Sequence, residues 1–136
     1  MADATTLAAL RAAALAAMDH AYAPYSKFRV GAALLTPGGA IITGCNVENA
    51  AYPAGICAER AAIGAAVARG ERTFTHVVVA TEANTPTPPC GMCRQVLHEF
   101  APTCRVISVT RAGAEAEWAL AELLPFAFES SSLRDA

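Results

Sequence analysis

Two short segments concentrate the side chains able to do chemistry, Cys57-Ala58-Glu59-Arg60 and Pro89-Cys90-Gly91-Met92-Cys93-Arg94. Thiolates bind zinc, and Cys90 and Cys93, three positions apart, share one face of a helix and can grip one ion together. Cys57 offers a third thiol. Glu59 would not face Cys57 in mid-helix, but first-turn side chains tilt toward the N-terminus, so both can reach one site beyond the open end. Three protein ligands with an open fourth position describe a catalytic zinc, whereas a structural zinc closes with four. Three thiolates outweigh the charge of one zinc ion, which by itself makes a bound water harder to deprotonate. Two helix N-termini offset this, as do Arg60 and Arg94, each expected to hydrogen-bond a sulfur. Two readings compete. Cys45 or Cys104 as a fourth ligand would make a structural site, in which Glu59 has no purpose; a redox Cys-x-x-Cys leaves Cys57 and Glu59 unexplained.

The elements that must place these groups show as patterns. Leu7, Leu10, Leu15 and Met18 recur near the helical period, and Thr5 or Thr6 can cap that first helix. Phe28 to Leu35, Thr36-Pro37-Gly38-Gly39 and Ala40 to Cys45 read as strand, turn and strand. A loop from Asn46 to Ile56 leads into a second helix that runs from Cys57 to Arg69 and stops at Gly70. Val77-Val78-Val79 marks a strand within Phe74 to Thr81 covered on both faces. Pro86, Pro88 and Pro89 lead into a third helix starting near Cys90 and ending before Pro102. Arg105 to Thr110 is a fourth strand, Glu117 to Leu120 a fifth, and Ala121 to Leu124 a helical turn ended by Pro125. Helices interleaved with strands imply helices on both faces of a central sheet. Residues 1–129 read as a single domain and Ser130 to Ala136 as a flexible, frayed tail.

Composition narrows the class. With 136 residues, 54% of them hydrophobic, one core suffices, because a chain of this length buries roughly two thirds of its unfolded surface. Ten Lys plus Arg against twelve Asp plus Glu give a net charge of -2, without the positive field a phosphate backbone requires, so no nucleic-acid partner is expected. The uncharged stretch Gly31 to Val47 is broken by its Pro-Gly turn, and no membrane span is expected. Ala12 to Met18 followed by Ala21-Tyr22-Ala23 imitates a signal peptide, but Asp3, Asp19 and His20 spoil the pattern. Five cysteines, an odd number, fit a reducing compartment, and a cytoplasmic location is expected. His98 lies about 140° round the helix from Cys93, so it does not share that ligand's face, and His20 and His76 are not expected to bind zinc either. Cys45 and Cys104 read as small buried hydrophobes.

Cys-Ala-Glu at 57–59 with Pro-Cys-x-x-Cys at 89–93 resembles the signature of the zinc nucleoside and nucleobase deaminases. The resemblance continues through Pro24 to Ala33, Gly44 to Ala50 and Leu123-Leu124-Pro125, covers nearly the whole chain, and is greatest to the small, all-cysteine cytidine deaminases. It implies an α/β fold, a three-layer αβα sandwich with a mixed five-stranded central sheet. It implies one zinc per chain on Cys57, Cys90 and Cys93, with Glu59 carrying protons during hydrolytic deamination of cytidine and deoxycytidine in pyrimidine salvage. It also places Asn46 and Glu48 on the ribose hydroxyls, Phe28 beside the base, the Ala58 amide on the base carbonyl, and Tyr25, Tyr52 and Phe128 around the site. A homotetramer with shared active sites follows from the same resemblance, Phe128 or the nearby Phe126 reaching a neighbour. On the residues alone, Asn46 and Glu48 can equally order a surface turn, and an aromatic that begins a strand is more often core. Three alternatives stay open. One is a deaminase of another aminated pyrimidine nucleoside, of the blasticidin S type; another is a polynucleotide editor, disfavoured by acidity and shortness; the third is a non-catalytic zinc-stabilised interaction module.

Overall fold

Val30–Leu35 (β1) is apolar along nearly its whole length because both of its faces are covered. Its side chains alternate between two cores, Ala32 and Leu34 on one side and Ala33 and Leu35 on the other. In the computed structural model, which describes residues 2–134, β1 pairs antiparallel with Ile41–Cys45 (β2) and with His76–Thr81 (β3). β3 pairs parallel with Arg105–Thr110 (β4), and β4 antiparallel with Glu115–Ala119 (β5), giving a mixed five-stranded sheet in the order β2-β1-β3-β4-β5. Helix α1 (Ala4–Met18) covers one face with Leu10, Ala14 and Met18, against Val78, Ala80, Ile107 and Val109. Helices α2 (Ala58–Ala68) and α3 (Gly91–Phe100) cover the other with Ala58, Ala62, Ile63, Ala66 and Leu97, against Val77 and Val106. This is the expected three-layer αβα sandwich. Among the described residues no helix is long and apolar enough to cross a membrane.

Glycine sets how closely the helices approach. A Cβ on Gly44 of β2 would lie 2.4 Å from the Ala62 nitrogen and 2.6 Å from the Ala58 oxygen, so α2 rests directly on the strand backbone. On the opposite face, a Cβ on Gly31 would lie 2.0 Å from the Ala14 oxygen, and α1 rests there in the same way.

Three expectations are corrected. The cap of α1 is Asp3, whose Oδ1 accepts from the Thr6 amide at 2.8 Å; the helix begins at Ala4, which puts Thr5 and Thr6 inside its first turn. β5 starts at Glu115 because the turn is tight at Gly113, whose φ is +100°, and pairing with β4 resumes at once. It is an edge strand of alternating glutamate and small or aromatic residues, so no apolar run announced it. After α4 (Leu120–Leu123), residues Ser130–Arg134 form a further short helix, α5, rather than a frayed tail, while positions 135 and 136 lie outside the described residues. Glu129 anchors its start, its carbonyl accepting from the Ser132 amide and its carboxylate from the Ser131 hydroxyl.

Candidate active site

Cys57 and Cys90 occupy the N-cap positions of α2 and α3, where serine or aspartate usually accepts a bond from the first turn. Neither thiol makes such a bond, so both sulfurs point free of their own helices and the first-turn amides stay available. The backbone enters α2 from a loop pinned by reciprocal Val47–Ile56 hydrogen bonds of 3.0 Å, which fixes where Cys57 sits. Cys93 stands one turn into α3 and is buried. Since α2 and α3 lie side by side on one face of the sheet, their N-termini bring the three thiols together.

The Cys57 and Cys90 sulfurs are 3.9 Å apart, those of Cys90 and Cys93 3.5 Å, and all three lie within 4.8 Å of one another. Tetrahedral zinc, with Zn–S bonds of about 2.3 Å, holds its sulfurs about 3.8 Å apart, so the triad fits one zinc ion with an open position. Cys45 and Cys104 are absent from this cluster. Cys104 is buried in the core, where burial pushes its thiol up to about 11, and Cys45 is only half-buried at the end of β2.

The electrostatics favour thiolate. The Cys57 thiol is pulled down to about 5, first by hydrogen bonding from Cys93 and then by Arg60, whose Nη2 donates to its sulfur at 3.6 Å. Cys93 is pushed the other way by sharing its hydrogen with Cys57 and by burial. Arg60 keeps its charge more firmly for having Cys57 beside it, and its buried Nε has no hydrogen-bond partner among the described residues. Glu59 is 4% exposed, and burial, seconded by the negative Cys57, raises its carboxyl to about 6. A carboxyl poised near neutrality is suited to taking up and returning a proton.

Cys57, Glu59, Arg60 and Cys90 form one wall of a cavity of about 460 Å³, a size suited to a small-molecule ligand. Of the residues expected around a substrate, Phe28, Asn46, Glu48, Tyr52 and Ala58 all line it. Asn46 and Glu48 also hold the loop that precedes β1. Asn46 Oδ1 accepts from the Val30 amide and its Nδ2 donates to the Phe28 carbonyl, both at 2.8 Å. Glu48 Oε1 accepts from the Tyr25 and Ser26 amides at 3.0 and 3.1 Å, and its Oε2 from the Ser26 hydroxyl. Tyr52 is 75% exposed at the rim, its ring centroid 5.8 Å from that of Tyr25.

Other expected members stand elsewhere, Tyr25 among them, which does not line this cavity. Phe128 is 59% exposed and does not line the cavity of its own chain, and Phe126 is fully exposed with a φ of +54°. Arg94, expected beside a sulfur, donates instead from Nε to the Pro89 carbonyl at 2.7 Å and from Nη1 to the Leu123 carbonyl at 2.8 Å. The sequence reading also missed Ser26, Thr87 and Pro88, which line the cavity. A signal for the last two lay in β4, where Ser108 interrupts an apolar strand; it is fully buried and its hydroxyl donates to the Thr87 carbonyl at 2.8 Å.

Residues 5–110 match the family model described as the cytidine and deoxycytidylate deaminase zinc-binding region. A cytidine deaminase of Halalkalibacterium halodurans is 42% identical over 123 residues, 90% of this chain and 93% of that protein. The 1.6 Å crystal structure of cytidine deaminase from Burkholderia pseudomallei superposes with a TM-score of 0.86 at 47% identity, covering 89% of this chain and 98% of that one. A blasticidin-S deaminase of Bacillus cereus is a more distant match, 32% identical over 111 residues, 76% of this chain and 79% of that protein.

Proposed function

The chain belongs to the cytidine and deoxycytidylate deaminase family, and from that premise we propose that it is a zinc-dependent deaminase of cytidine and deoxycytidine, producing uridine or deoxyuridine and ammonia. The observation that carries this reading is the buried Glu59 carboxyl beside the three-thiol cluster at the wall of a nucleoside-sized cavity. A structural zinc needs no proton carrier, and a carboxyl buried against thiolates is hard to explain in an interaction module.

Cys57, Cys90 and Cys93 would hold one zinc ion, which when bound supplies a water acidified to near-neutral pKa and a positive charge at the reacting carbon. Glu59 takes one proton from water as its oxygen bonds to C4 of the pyrimidine and delivers it to N3; it then takes the remaining proton from the C4 hydroxyl and gives it to the amine, so that the C4–N bond breaks, the C4 carbonyl forms and ammonia leaves. Arg60 keeps the sulfur cluster charged and in place. The Ala58 amide, in the first turn of α2 with no acceptor inside the helix, is free to meet the base carbonyl. Phe28 flanks the base. Asn46 and Glu48, fixed by their backbone bonds, present their remaining lone pairs and N–H to the ribose; nothing in this lining excludes a 2'-deoxy sugar.

Purified protein mixed with cytidine should abolish the cytidine ultraviolet band, and a zinc chelator should stop the loss. An unchanged band with zinc-loaded protein would overturn the reading, and turnover of blasticidin S in its place would support the alternative that the more distant relative brings to mind.

We further infer a homotetramer with shared sites, acting in cytoplasmic pyrimidine salvage. Tyr25, Tyr52, Phe126, Phe128 and Leu133 are between 47% and 104% exposed on a single chain, an expense of apolar surface that a second copy would relieve. Phe128, which does not reach its own cavity, is free to close a neighbour's. Light scattering should give four chains per particle, and truncation after Pro125 should raise the KM for cytidine while leaving zinc bound. A fully active monomer would sink the shared-site idea.

A further inference from the structure

Helix α3 carries two of the three thiols at its start and holds the C-terminal segment along its side. Three of its residues make that hold. Arg94 donates to the Leu123 carbonyl, Gln95 Nε2 donates to the Phe128 carbonyl at 2.8 Å, and His98 Nε2 lies 3.1 Å from the Glu129 carboxylate. Arg94 differs from the other two because its second bond runs back to Pro89, the buried residue directly before Cys90. The peptide that this carbonyl belongs to is the one that leads into the Cys90 backbone. A guanidinium presents its donors in a rigid planar fork, so the two carbonyls it bridges are held at a fixed separation; an ammonium on a flexible stem cannot do this.

We propose that Arg94 is a positioning residue, which fixes the Pro89 carbonyl against the Leu123 carbonyl of α4 and thereby sets where Cys90 meets the other two thiols. The inference rests on the zinc reading of that cluster. Cys90 needs such a hold. It is exposed, it lies at the end of a proline-rich loop, and its thiol makes no capping bond to α3. Two residues before Pro89 the same loop has a second anchor in the Ser108 bond to the Thr87 carbonyl, so the short stretch from Thr87 to Pro89 is held at both ends by side chains from outside it. Arg60 acts on the sulfur cluster directly, whereas Arg94 acts through the backbone of a ligand and touches neither sulfur nor substrate.

The test compares zinc-loaded wild type with Arg94→Lys, Arg94→Ala and Gln95→Ala. A ligand's supporting partner typically contributes 10 to 100-fold to metal affinity. Arg94→Lys, which keeps the charge and loses the fork, should therefore give up zinc to a competing chelator at least about 10-fold more readily. Its zinc-free unfolding temperature should stay at the wild-type value, and kcat of the loaded fraction should fall more than KM rises. Gln95→Ala removes a bond from the same helix to the same segment and should retain zinc as wild type does. Wild-type retention of Arg94→Lys would overturn the proposal by showing that charge alone suffices. Equal zinc loss in Gln95→Ala would overturn it by showing general loosening of α3, and if Arg94→Ala unfolds, Arg94→Lys decides alone. Wild-type protein that holds no zinc would instead overturn the metal reading, so the two failures are distinguishable.

Discussion

The thiol corner and the aromatic rim enclose the same cavity but are made in different ways. At the corner, three sulfurs and Glu59 hang from two helix starts packed on one face of the sheet, and Cys93 and Glu59 are buried. At the rim, the polar groups of Asn46 and Glu48 are tied to loop backbone, and Tyr52 stands largely in solvent. A single chain completes the corner and leaves the rim open. Chemistry that tolerates no misplacement of its ligands therefore sits on the rigid scaffold, and recognition is left to loops that another surface can still close.

The largest expected effect is at the corner. Cys57→Ala, Cys90→Ala and Cys93→Ala should each lose zinc and all measurable deamination, while Cys45→Ala and Cys104→Ala keep one zinc per chain by metal analysis. Retention of full zinc by any of the first three would remove that residue from the site. Next comes Glu59→Gln, which keeps the shape and deletes the proton carrier. Zinc should stay, and kcat should fall by at least about 10² to 10⁴-fold, the usual range for a general acid-base group. Near-normal turnover of the zinc-loaded variant would break the assignment of the chemistry to the corner.

A packing test asks whether the corner depends on the fold beneath it. Gly44→Ala places a methyl 2.4 Å from the backbone of α2, the helix that carries Glu59 and follows Cys57, and Gly31→Ala places one 2.0 Å from the backbone of α1 on the other face. Both should destabilise, by about 1–3 kcal/mol or more, since backbone cannot move aside cheaply. Only Gly44→Ala should also reduce zinc bound per folded chain. Equal zinc loss in both, measured against thermal unfolding curves, would mean that the corner feels global stability rather than the seat of α2.

The same contrast explains what the sequence disclosed. Cys57, Glu59, Cys90 and Cys93 were legible because ligand spacing and helix starts are local, and the β1 and β3 strands because burial on both faces writes a continuous apolar run, which β4 shares except at Ser108. β5 and α5 were misplaced because neither has such a run: one is a polar edge, and the other is held by Glu129 and by contacts from Gln95 and His98, over thirty positions away in sequence. Arg94 was assigned to a sulfur because it adjoins a ligand, yet its fork is taken by two carbonyls, one of them in α4, which no local pattern reveals. For Asn46 and Glu48 ordering the loop and facing the cavity are one arrangement, since the same side chains do both.

The smallest expected effect lies at the rim and concerns acid. Lys27 has a φ of +61°, a left-handed conformation that a lysine adopts only when its surroundings impose it. Glu48 imposes it by gripping Tyr25 and Ser26 on one side, while the Ser26 hydroxyl oxygen accepts from the Phe28 amide at 3.0 Å on the other. The hydroxyl and amide of Ser26 hold the Glu48 carboxyl below its ordinary value, with smaller help from the Tyr25 amide and the Lys27 charge. A carboxylate depressed in the folded state stabilises the fold above its ordinary value of 4.5, and that contribution is lost as pH falls through the lower folded value. Acid should therefore loosen residues 25–28 before it disturbs the sheet. Hydrogen exchange at the Tyr25 and Ser26 amides, corrected for the intrinsic pH dependence, should quicken below the ordinary glutamate range while the amides of β3 stay protected. Glu48→Gln should exchange faster at neutral pH and show no further step in acid. Protection of Ser26 that stays level in the wild type as Glu48 is protonated would show that the loop is held by something other than this carboxylate, and the rim would then be as rigidly built as the corner.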